Sequence, residues 1–232
     1  MQCEPLAEEA YNFETDMELL QALPLASGYA VSIPFYDAFL DLVPPQRIPV
    51  NVVNVHHRIF DAPAARVAAL LDTLASDTDH IWPREAWPAM VFDRPLGVGA
   101  EGGHGPVRYA VCKYVPGNSV VFAFHAPAGF HGTHRFDVLR LPHGCELRHT
   151  LSMRAGWPAV VTWPLLFRPM HDALIEDALA KAQAGLGERP SVVPWSLYVR
   201  ALRRLFSVGR APRPQTSYDS ASLACPPLRG KR

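Results

Sequence analysis

The chain has 232 residues, of which 49% are hydrophobic and 19% charged, with a formal net charge of zero. That length suits one medium domain with additions, or two small ones, and the apolar content is enough to bury a sizeable core, which argues against wholesale disorder. The balanced charge gives no ground for a nucleic-acid partner.

Residues 1–48 read as an N-terminal arm. Before Arg47 it holds eight acidic residues and neither Lys nor Arg. A short helix is expected from Pro5 to Leu23 and an apolar piece from Tyr36 to Val43, closed by Pro44-Pro45. The chain opens with acids where a signal peptide needs a basic start and an apolar run. The most apolar stretch, Trp157 to Phe167, is too short to span a bilayer and carries two prolines. The reading is therefore a soluble protein of the cytoplasm. Cys3, Cys112, Cys145 and Cys225 form no C-x-x-C pair, so free thiols are expected in that reducing setting, without a structural zinc site.

Residues 49–186 read as the folded core. Val50 to Phe60 alternates as a strand, with Val53, Val55, His57 and Ile59 sharing one face. Asp61 and Pro63 suit a helix start, and Ala65 to Leu74 continues as the helix. Residues 76–88 are irregular, and Met90 to Asp93 is a short strand. Val107–Val115 and Ser119–His125 pair around Pro116-Gly117-Asn118, and Thr133–Leu141 and Cys145–Arg154 around Pro142-His143-Gly144. A final helix ends near Gln183, with Phe167, Met170, Leu174 and Ala178 at helical spacing. Pro164 and Pro169 should kink it or set its start. Helices flanking a run of antiparallel strands define an α+β class.

Residues 187–232 read as a basic extension, with eight basic residues against one acid after Trp195. Trp195, Tyr198, Val199, Leu202, Leu205 and Phe206 fall on one helical face, and Arg200, Arg203 and Arg204 fill the remaining positions. This amphipathic helix over 195–207 can dock on its own domain or touch an anionic membrane surface through Trp195 to Phe206. Beyond Ala211 the composition suits a disordered tail. The oppositely charged arms read either as two separately solvated segments or as a pair that attracts, within one chain or between the two chains of a homodimer.

The core resembles the START-like superfamily, which includes the polyketide cyclases and dehydratases and the Bet v 1-like (SRPBCC) proteins. The resemblance rests on "HHRIFDAPAARVAALL", the loop "PLGVGAEGGHGPVRY", then "VPGNSVVFAF", "GTHRFDV", "CELRHTLSM" and the helix "LLFRPMHDALIEDALAKAQ". It implies a helix-grip fold: a curved antiparallel sheet wrapped around a long C-terminal helix, with an internal apolar cavity. It implies a hydrophobic ligand such as a lipid or polyketide, and it fixes no catalytic residue.

Three polar residues share parity with apolar neighbours on strands: His57 with Val53, Val55 and Ile59; His134 with Phe136 and Val138; His149 with Leu147, Leu151 and Met153. If those faces line one cavity, the three imidazoles converge there, each able to donate and accept hydrogen bonds. Tyr109 is a candidate pocket hydroxyl, and Phe167 and His171 are candidate ligand contacts on the last helix. His171 and Asp172 are neighbours in sequence and do not read as a facing dyad. Gly97, Gly99 and Gly102 spell G-x-G-x-x-G, but a strand follows where a nucleotide site needs a helix, so a loop at the cavity mouth is the better reading. His131 and His134 make H-x-x-H; three apart on a strand they point to opposite faces, though His131 in the turn before the strand would escape that, and no carboxylate has an obvious place as third ligand. The expectation is a protein that binds a hydrophobic small molecule, with no metal and no cofactor. The alternatives are a cyclase or dehydratase using a cavity histidine as general acid or base, and a membrane-surface lipid carrier.

Overall fold

Strand β1 (Val50–Phe60) enters the sheet as an edge, paired only with β7 (Cys145–Ala155). The computed structural model describes residues 49–206, which fall within one unit of the chain. The expected acidic arm, its short helix and the tail after the last helix lie outside the described residues. Between β1 and β7 the chain forms α1 (Ala64–Leu71), β2 (Val91–Phe92), β3 (Glu101–His104), β4 (Val107–Val115), β5 (Ser119–Ala126) and β6 (Phe130–Arg140). The seven strands make one antiparallel sheet in the order β1-β7-β6-β5-β4-β3-β2. After β7 come α2 (Ala159–Thr162), a π-helical turn at Trp163–Phe167, the long helix α3 (Arg168–Gly185) and α4 (Leu197–Leu205). The curved sheet closed by a long C-terminal helix is the helix-grip arrangement.

Hairpin connectivity follows from the turn residues, and register from the pleat. Residues directly opposite in an antiparallel pair share a face. His56, His149, Phe136 and Val120 therefore form one inward row across β1, β7, β6 and β5. Asn54, Leu151, His134 and Phe122 form the adjacent row. Phe60, Leu71, Leu74, Ile81, Trp82, Phe122, Phe136, Leu147 and Ile175 fill the core between sheet, α1 and α3.

Three local expectations differ from the structure, while the one for Pro164 and Pro169 holds, since each stands in the first two positions of its helical segment. Asp61 does not cap α1; Pro63 holds the N-cap position and no side chain caps the helix. The glycine-rich stretch is not a loop throughout, because Gly102 and Gly103 lie in β3. A Cβ at Gly102 would sit 2.0 Å from the Val91 carbonyl oxygen, and one at Gly103 2.0 Å from that of Val107. Only glycine permits so close an approach of neighbouring backbones. The proline-bearing run ahead of α3 adopts a π-helical turn, since Pro164 has no N–H to give to a regular ladder. Finally, the face of β1 that carries Val53, Val55, His57 and Ile59 is the outer one; Val53 is 69% exposed and Ile59 60%.

The basic helix α4 docks. Val199, Leu202 and Arg203 are buried, while Leu197, Tyr198, Arg200, Arg204 and Leu205 face solvent. Among the described residues no helix is long and apolar enough to cross a membrane.

Candidate functional site

The inward face of β1 carries Val52, Asn54, His56, Arg58 and Phe60. Its polar members are spaced by two residues and meet carboxylates of α3 spaced by four. Two residues of strand advance about 6.6 Å, and four residues of helix about 6 Å, so the two ladders stay in step. Asn54 Nδ2 donates to Asp172 Oδ1 at 2.9 Å. His56 meets Asp172 Oδ1 through Nε2 at 3.1 Å and Glu176 Oε1 through Nδ1 at 2.9 Å. Arg58 Nη2 donates to Glu176 Oε2 at 2.6 Å. Burial opposes a charge on His56, yet its two carboxylate partners raise its pKa above the ordinary value. The neighbouring His171 ring and hydrogen bonds from His56 and Asn54 outweigh burial at Asp172 and hold its carboxyl far below the usual range.

Deeper in, β6 and β7 place His134 and His149 on diagonal positions of the same face. Their Nδ1 and Nε2 atoms lie 3.3 Å apart. Both side chains are almost wholly buried, and His134 Nε2 and His149 Nδ1 have no hydrogen-bond partner. Burial, reinforced by neighbouring histidines, pushes both pKa values well below the ordinary one, so both rings are neutral near pH 7. Two neutral imidazoles joined by one hydrogen bond always present one free donor and one free acceptor at their outer nitrogens, whichever ring donates. The aromatic surroundings are dense. His134 stacks on Phe122 and Phe124 with centroids 4.7 and 5.0 Å away and meets the edge of Tyr109 at 4.7 Å. His149 lies against Phe136 at 4.6 Å.

His104 on β3 meets the Tyr109 hydroxyl through Nδ1 at 2.9 Å. Burial lowers the His104 pKa to about 3 and raises that of Tyr109 well above its usual value. At the other end, His171 opens the first turn of α3, 5.1 Å from His149 and 5.9 Å from His56 between ring centroids. Both of its ring nitrogens are buried without a hydrogen-bond partner, and Nδ1 lies 3.6 Å from Asp172 Oδ1. The five rings thus run in file from β3 through the sheet to α3.

The expected trio of histidines is only partly brought together. His134 and His149 share the interior, but His57 sits exposed on the outer face and is removed from the site. Its neighbour His56 takes the inward position. Tyr109 and His171 face the interior with them, and Phe167 lines its far end, 5.1 Å from Phe130. His131 is exposed while His134 is buried, so the two do point apart. Sequence reasoning missed Asn54, His56, Arg58, Asp172, Glu176 and His104. The available signal was the period-two run Asn54-His56-Arg58, which answers the four-residue spacing of Asp172 and Glu176. Among the described residues, His56, His171 and Asp172 could hold a metal ion, with one ligand atom each inside a 4.8 Å span.

The sheet order and the long C-terminal helix make the fold a helix grip. The chain matches no family model and no curated protein. Solved structures of similar backbone include truncated norcoclaurine synthase from Thalictrum flavum, at 15% identity and a TM-score of 0.47, covering 62% of this chain and 99% of that one. CalU16 from Micromonospora echinospora is similar at 10% identity and a TM-score of 0.43, covering 68% and 94%. The di-domain ARO/CYC StfQ from the steffimycin biosynthetic pathway is similar at 13% identity and 0.44, covering 58% and 50%.

Proposed function

We propose that this protein binds a hydrophobic small molecule, aromatic or polyketide-like, between the concave sheet face and α3. The supporting observation is the His134–His149 pair, buried with an unpartnered nitrogen on each ring. A buried polar atom without a partner costs about 1–3 kcal/mol, and two such atoms on one face are explained by a ligand that satisfies them. The ligand then needs one acceptor and one donor, such as a carbonyl and a phenol, on a flat apolar frame that suits the Phe122, Phe124 and Phe136 surfaces.

The test is native mass spectrometry of protein purified from its own host, followed by extraction and identification of the passenger. A stoichiometric hydrophobic compound bearing hydroxyl or carbonyl groups is expected, and it should be missing from a His134→Leu/His149→Leu variant. A protein that is empty and also ignores a panel of polyketide-like compounds would overturn the reading.

A second reading, acid–base turnover of the cyclase or dehydratase kind, is favoured by His171. His134 and His149 are poor proton acceptors because burial makes their charged forms expensive. Burial lowers the His171 pKa as well, but its unpartnered ring nitrogens lie beside Asp172, a carboxylate that opposes the shift and is placed to steady an imidazolium. Conversion of a bound poly-carbonyl compound that is lost in His171→Ala, with binding retained, would support turnover. Unaltered compound after long incubation would leave binding alone.

A further inference from the structure

The outer end of the histidine file has the composition and geometry of a metal centre. We propose that His56, His171 and Asp172 form a binding site for a divalent transition-metal ion, Zn2+ fitting the ligand set best. Two imidazoles and one carboxylate suit zinc and its neighbours, whereas Mg2+ and Ca2+ call for oxygen ligands. Bonds of about 2.0–2.1 Å at tetrahedral angles set ligand atoms about 3.3 Å apart. His56 Nε2 lies 3.1 Å and His171 Nδ1 3.6 Å from Asp172 Oδ1, so two of the three edges are already near that length. The third closes by turning the His171 ring, which has no hydrogen bond to break.

The surroundings supply what such ligands need from their neighbours. With Nε2 of His56 toward the ion, Nδ1–H donates to Glu176 Oε1 at 2.9 Å, fixing tautomer and ring orientation. Arg58 holds the other oxygen of Glu176 at 2.6 Å, and Asn54 orients Asp172. An imidazolium bridging the two carboxylates would account for His56 alone and leave His171 unexplained. Three protein ligands leave one coordination position open. His149, 1% exposed and with Nδ1 unpartnered, lies beside His171 on the interior side.

The experiment titrates chelator-treated full-length protein with Co2+, then displaces it with Zn2+. One Co2+ per chain is expected, with visible absorption bands of four- or five-coordinate intensity that Zn2+ abolishes. His171→Ala should erase those bands while far-UV circular dichroism stays unchanged, because that ring anchors no backbone by hydrogen bond. Glu176→Gln should keep the bands but weaken affinity about 10–100-fold. His57→Ala, an exposed histidine next in sequence to His56, should change nothing. Absence of stoichiometric bands, bands that survive His171→Ala, or bands lost in His57→Ala would each overturn the site. No small-molecule ligand enters the test, so its failure is separate from failure of the binding reading above.

Discussion

Helix α3 offers carboxylates to two polar constellations, and the two are built to opposite rules. On one side Asp177 accepts from the indole nitrogens of Trp87 and Trp195, each at 2.9 Å from Oδ2. Arg203 lies over both indole rings, 4.2 and 4.0 Å from their centroids, and donates to the Ala86 carbonyl at 2.6 Å. On the other side His134, His149 and His171 are just as enclosed but leave ring nitrogens without partners. Both regions are aromatic, polar and buried. Donors that meet a carboxylate fix structure, here the docking of α4; ring nitrogens left without a partner point to something that supplies one.

The largest expected effect falls on the Asp177 contacts. Asp177→Ala leaves two indole N–H groups without this acceptor and should destabilise by about 3 kcal/mol. In a chain of this size that lowers Tm by about 6–12 °C in a thermal melt. A loss below about 1 kcal/mol would break the contrast, since the two indole–carboxylate bonds would then mean little.

The histidine pair should respond in the reverse sense. Replacing both His134 and His149 by Leu removes two costly polar atoms together, so the empty protein should be unchanged or stabilised to within about 1 kcal/mol. The single variant His149→Leu strands His134 Nδ1 and should be less stable than the double by about 1–2 kcal/mol. Urea unfolding of the parent, the double and the single variant reads the order directly, and a double variant less stable than the single would end the idea.

Acid should also tell the regions apart. His104, His134 and His149 are held neutral, with folded pKa values below the ordinary value of about 6.5. The unfolded chain takes up protons below that value and the folded chain does not, so stability falls as pH drops through about 6.5 and keeps falling toward the folded values. Each such histidine contributes a slope of up to about 1.4 kcal/mol per pH unit. His56 acts with the opposite sign: its raised pKa gives stability that is full below about 6.5 and lost as pH rises through the folded value. Urea midpoints at pH 7.5, 6 and 5 should decline, and the decline should flatten in the His134→Leu/His149→Leu variant. The smallest effect belongs to His57→Ala, which should stay within about 0.5 kcal/mol of the parent in the same measurement.

Much of the fold was legible because turns and periodicity are local. The two long hairpins, the strand after residue 49 and the final helix follow from Pro116-Gly117-Asn118, Pro142-His143-Gly144 and regular apolar spacing. Strand β3 was not legible, because its reason is a backbone approach at Gly102 and Gly103 that no propensity scale expresses. The site was legible where polarity interrupts an apolar face, as at His134 and His149. It misled at β1, where the more apolar parity faces outward. Packing decides there: β1 is an edge strand, and its inner residues find partners on α3 more than a hundred positions away in sequence, such as His56 with Glu176. Pairwise complementarity across such a span is invisible to a window read along one strand.

The single hydrogen bond between His134 and His149 carries a consequence for selectivity. Moving one proton across the contact and relocating its counterparts exchanges the donor end for the acceptor end without moving a heavy atom. The pair therefore has no built-in head or tail: in the proposed binding role it would ask for two complementary groups a set distance apart and would take a guest in either direction. Choice between those directions falls to shape, to the unequal company of Phe122 and Phe124 at one ring and Phe136 at the other.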